Sequence, residues 1–123
     1  MNALLKTILT FSLLCGCVTA EPLKILFFSG GGKTADTGHN GRMNHHKLIP
    51  DFLRANIDLT YSDQLEDLNP ETLSLYEAVI MYRGGAIGKP ERIEHIIDYV
   101  EKGGGLVAIH HTCGAFDGDS DFI

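Results

Sequence analysis

Short apolar stretches alternate along the chain with segments whose apolar residues recur at helical spacing. Lys24 to Phe28 (KILFF) runs apolar without alternation and stops at Ser29-Gly30-Gly31-Gly32, as a strand buried on both faces would. Gly30 to Gly41 is glycine-rich and aperiodic, and reads as a long loop. From Asn44 to Ala55, Leu48, Ile49, Phe52 and Leu53 fall at helical spacing. Pro50 lies inside that pattern and predicts a kink or a shorter helix, because it lacks an amide hydrogen and clashes with the preceding turn. Ile57 to Tyr61 alternates apolar with polar and predicts a strand nearer the sheet edge. Asn69-Pro70-Glu71 predicts a capped helix start, and the helix it opens ends near Tyr76.

Ala78 to Tyr82 (AVIMY) is a second unbroken apolar run and a third strand. Pro90 opens the clearest helix, with Ile93, Ile96, Ile97 and Val100 as one apolar stripe and Gly103-Gly104-Gly105 as its stop. Leu106 to Ile109 reads as an inner fourth strand, followed directly by His110-His111-Thr112-Cys113-Gly114. The order β-α-β-α-β-α-β predicts an α/β fold, a doubly wound parallel sheet with helices on both faces. Such sheets usually have five or more strands. Four strands suggest a chain cut after the fourth.

The first twenty residues stand apart. Lys6 supplies a positive start and Ile8 to Val18 an apolar core too short to span a bilayer, so residues 1–20 read as a signal peptide. Val18-Thr19-Ala20 suits signal peptidase, whereas Leu14-Cys15-Gly16-Cys17 resembles a lipobox that would leave Cys17 lipid-anchored. Either route predicts a periplasmic, extracellular or lipid-anchored protein with no transmembrane span, and a domain over residues 23–123. Either route also leaves Cys113 without an intrachain disulfide partner.

Charge narrows the partners. A formal charge of −6, from 16 acids against 10 bases, argues against a nucleic-acid partner, which needs a basic patch. Ligands of doubly wound sheets bind at the carboxyl ends of the strands. Two stretches bring reactive groups there: the first loop and the helix start after it, with Asp36, His39, His45 and His46, and the segment after the fourth strand, with His110, His111 and Thr112, and Asp117 beyond. His95, on the helix opened by Pro90, reads as solvated. The histidine spacing matches no standard zinc motif, so no metal ligands are assigned and the cofactor is left open. Gly32-Lys33-Thr34 lacks the first glycine of a phosphate loop, where Phe27 stands. Cys113 reads as a small half-buried residue rather than a nucleophile.

Taken together, KILFF, the histidine-bearing loop and helix after it, Tyr76-Glu77-Ala78-Val79-Ile80 and Gly103-Gly104-Gly105-Leu106-Val107-Ala108-Ile109-His110 resemble the trehalose-utilization (ThuA-like) family. The resemblance implies a flavodoxin-like fold related to class I glutamine amidotransferases, and a chain shorter than complete members. It also implies a carbohydrate partner: trehalose-type disaccharides or their keto-sugar derivatives. The amidotransferase relatives carry a cysteine on the elbow after the corresponding strand, whereas His110 stands there in this sequence and Cys113 falls three residues later. Two functions follow. One is an exported sugar-processing enzyme of unsettled reaction, with His110 as general acid or base, His39 and Asp36 as partners, and His45, His46, His111, Thr112 and Asp117 against substrate. The other is a non-catalytic carbohydrate-binding or scaffolding domain that has lost the nucleophile.

Overall fold

The computed structural model describes residues 20–30 and 41–116. The elements are β1 (Leu23–Gly30), α1 (Gly41–Arg54), β2 (Ile57–Ser62), α2 (Pro70–Leu73), β3 (Ala78–Arg83), α3 (Pro90–Glu101) and β4 (Gly105–Ala108), with 3₁₀ turns at Leu65–Asp67 and His110–Phe116. The four strands form one parallel sheet in the order β2-β1-β3-β4. This is the α/β architecture that the alternating sequence pattern predicts. Winding reverses after β2, so β1 and β3 are neighbours at a topological switch point.

The unbroken apolar runs are central because both of their faces are covered. Leu26, Phe28, Val79 and Met81 pack against Leu68, Leu73, Ile87 and Ile96 on the face carrying α2 and α3. Ile25, Phe27, Leu59 and Ile80 face the other way, toward Leu48 and Phe52 of α1. Each large apolar side chain removed from water in this way contributes roughly 1.5–3 kcal/mol. β2 lies at one edge, as its alternation predicts.

Three expectations are corrected by packing. β4 is the other edge strand among the described residues, not an inner one, and Val107 is 49% exposed on the α1 side of the sheet. α1 begins at Gly41, three residues before the expected Asn44, and runs through the exposed Pro50 as one element of 14 residues. His95 is half-buried, and its Nδ1 lies 3.1 Å from the Leu68 carbonyl oxygen.

The helix termini follow the local chemistry. Asn69 Oδ1 accepts the Thr72 amide at 2.8 Å and caps α2. α3 ends in a Schellman motif: Gly103, at φ +98°, donates to the Val100 carbonyl and Gly104 to the Tyr99 carbonyl, each at 2.9 Å. A Cβ on Gly104 would lie 2.2 Å from the Tyr99 ring. That space admits Tyr99 to the core side of α3, while Val100 of the predicted stripe is 41% exposed.

Candidate functional site

The carboxyl edge of the sheet is set by strand register. Ser29 pairs with Tyr82 and Gly30 with Arg83, while Met81 pairs with Ala108 at the end of β4. The Ile109 amide still donates to the Met81 carbonyl at 2.9 Å, so the chain leaves the sheet at His110. His110 is exposed and has φ +63°, a left-handed conformation uncommon for a residue with a Cβ. Its ring meets Tyr82 edge-on at a centroid distance of 6.1 Å. The strand-to-helix transition is therefore a tight elbow that presents His110 at the open edge.

Thr112 pins this elbow from beneath. It is fully buried, and its hydroxyl lies 2.8 Å from the Met81 carbonyl and 2.6 Å from that of Ile109, donating its single proton to one at a time. The same oxygen accepts the Arg83 amide at 3.3 Å. Thr112 thus ties the ends of β3 and β4 to the 3₁₀ turn. It positions His110 and has no face toward a ligand.

The start of α1 sits over the end of β1. A Cβ on Gly41 would lie 1.5 Å from Ser29 Oγ, so only glycine allows this approach. One turn on, His45 is buried against the sheet, with Nε2 2.8 Å from the Leu59 carbonyl oxygen and Phe27 and Tyr61 around its ring. With Nε2 as the donor, Nδ1 is the unprotonated nitrogen, buried and unpaired among the described residues. His45 therefore belongs to the helix–sheet packing. His46 is exposed beside it, its ring edge-on to that of His45 at 5.7 Å. Asp36, His39 and Asp117 lie outside the described residues, as does the side chain of His111. No group of three or more His, Cys, Asp or Glu converges as metal ligands among the described residues.

Beyond β2, Asp63 gathers a polar cluster. It accepts from the Tyr61 hydroxyl at 3.3 Å and from Gln64 Nε2, and lies 3.7 Å from Arg42 Nη2. The Arg42 guanidinium stands 5.0 Å over the Tyr61 ring. Burial first, and the Asp63 charge second, push the Tyr61 hydroxyl above its ordinary pKa.

Tyr82 and Arg83 are edge residues that sequence reasoning passed over. The available signal was a charged residue ending an apolar strand immediately before Gly84-Gly85. A concavity lies at the opposite, amino edge, between α2 and α3, lined by Leu73, Tyr76, Asp98 and Tyr99. Among the described residues no helix is long and apolar enough to cross a membrane.

No family model and no curated protein matches the sequence. The fold is similar to a crystal structure described as a ThuA-like protein, from Bacteroides uniformis, with a TM-score of 0.62 and 19% identity. The similarity covers 85% of this chain and 41% of the other, so this chain spans less than half the length of that one. The likeness shows that this chain shares the α/β fold of the matched part of that structure.

Proposed function

We propose that the chain is an exported ThuA-like domain whose carboxyl edge processes sugars, of the trehalose type or keto-sugar derivatives, with His110 as the proton-transfer group. The observation that carries this reading is the elbow. An exposed histidine is held in a costly left-handed conformation at the edge where doubly wound sheets bind ligands. Imidazole exchanges protons near neutral pH and serves as either acid or base. Asp36 and His39, from the loop after β1, complete the acid–base set in this reading. His46, His111 and Asp117 contact the sugar. The structural neighbour described as ThuA-like supports the family assignment, and the short apolar leader supports export.

The elbow also favours a second reading. It carries an imidazole where the amidotransferase relatives carry a thiol, so a domain that binds sugar without changing it fits the same position. Turnover separates the two. Purified full chain is incubated with trehalose and a keto derivative of it, and products are followed by mass spectrometry. The His110→Asn variant keeps a hydrogen-bonding group and tolerates the left-handed backbone. Loss of about 10²–10⁴-fold in rate in that variant, with its fold intact, is the expected result. Equal turnover by the variant refutes the role of His110. Binding without turnover by wild type selects the second reading.

A further inference from the structure

Arg83 closes β3 directly beside the end of β1, in register with Gly30. It is only 8% exposed, with its guanidinium 5.7 Å from the Phe28 ring centroid. Nε donates to the Gly85 carbonyl and Nη2 to the Ala86 carbonyl, both at a long 3.3 Å. These bonds use two of the five N–H groups of a guanidinium. No carboxylate lies within ion-pair distance of it among the described residues.

Its charged neighbour is Arg92, whose own Nη2 is paired with Glu66 at 3.3 Å. Burial first, and Arg92 second, push the Arg83 guanidinium below its ordinary pKa. A guanidinium nonetheless keeps its proton at any working pH, so the site holds a desolvated positive charge. Such a charge is costly unless something negative compensates it.

Gly30 brings the end of β1 close to the guanidinium. Gly30 has φ +118°, and a Cβ there would stand 3.5 Å from Arg83 Nη1 and 3.3 Å from the Asp63 Cβ. With no side chain at Gly30, only the backbone of that residue borders the space between Nη1 and Asp63. Asp63, which borders the same space, turns its carboxylate to Tyr61, Gln64 and Arg42 instead. The first turn of α1 carries no acidic residue.

We infer that Arg83, beside Gly30 at the β1–β3 switch point, binds the oxyanion of an acidic sugar ligand, a carboxylate or a phosphate. The planar guanidinium fork matches either group with two parallel hydrogen bonds. This deepens the reading of the carboxyl edge as the ligand site, and it does not depend on turnover at His110.

The test measures thermal unfolding and calorimetric binding of the full chain at matched ionic strength. The probes are gluconate, glucose 6-phosphate and trehalose. An acidic sugar is expected to raise the wild-type midpoint saturably, beyond any effect of trehalose. The two acidic probes separate carboxylate from phosphate. Arg83→Met should weaken that binding at least about tenfold, and Arg54→Met, which removes an exposed charge at the far end of α1, should leave it in place. Without ligand, Arg83→Met should be as stable as wild type or more so, since it removes a buried unpaired charge and keeps the stem. The inference is overturned if neither acidic sugar binds wild type, or if binding survives Arg83→Met. It is equally overturned if Arg83→Met fails to fold, which would show that the charge is compensated within the chain. Retained anion binding alongside unchanged turnover in His110→Asn would refute the catalytic role of His110 while upholding the anion site.

Discussion

The strain at His110 can be measured by comparing two truncations at the same position. His110→Ala and His110→Gly both remove the imidazole, its edge contact with Tyr82 and every other contact of the side chain. They differ only in how a residue tolerates φ +63°. The left-handed region costs a residue with a Cβ roughly 1–2 kcal/mol. Glycine avoids this but loses about 0.5–1 kcal/mol more in chain entropy on folding. His110→Gly should therefore be more stable than His110→Ala by up to about 1.5 kcal/mol. On a small domain that separates the melting midpoints by about 4–8 °C per kcal/mol. Urea and thermal unfolding followed by far-UV circular dichroism give both numbers. A more stable alanine variant would show that the turn is not left-handed in solution. Both variants should lose sugar turnover, so a gain in stability by glycine over alanine would accompany no gain in function.

Three further outcomes follow from the structure and the leader. Thr112→Val leaves the buried Arg83 amide without its acceptor and should cost about 1–3 kcal/mol in a denaturant titration, whereas Thr112→Ser should keep most of that. Gly41→Ala drives a methyl into Ser29 and should cost about 1–3 kcal/mol, with α1 displaced at the edge, as hydrogen exchange in α1 would report. Intact-mass measurement of protein from the native host should find a species lacking Met1 to at least Gly16; a species retaining Met1 would exclude the leader.

Much of the fold is legible in the sequence because the signals are local and agree with the packing. The unbroken runs at β1 and β3 are central strands, and alternating β2 is an edge strand. Asn69 caps its helix and Gly103 stops α3, since their chemistry suits those termini and nothing in the packing opposes it. The site is less legible because its signals are non-local. His45 reads as an edge group from its neighbours, but α1 begins at Gly41 and turns that ring onto the Leu59 carbonyl. Thr112 reads as a ligand contact by proximity to His110, yet its partners are carbonyls and an amide on two strands. Arg83 carries no local signal of burial, since it follows the apolar run Ala78 to Tyr82 as a lone charge before two glycines. Only the register with Gly30 and the cover of Phe28 show it to be buried.

The central claim is that sugar binds at the carboxyl edge. It is tested most directly by assigning the amide spectrum of isotopically labelled full chain and titrating it with trehalose and gluconate. The account predicts saturable shifts concentrated at Gly30, Arg83 and His110, at the ends of the three adjacent strands. Shifts confined to Leu73, Tyr76, Asp98 and Tyr99, around the concavity at the amino edge, would contradict it.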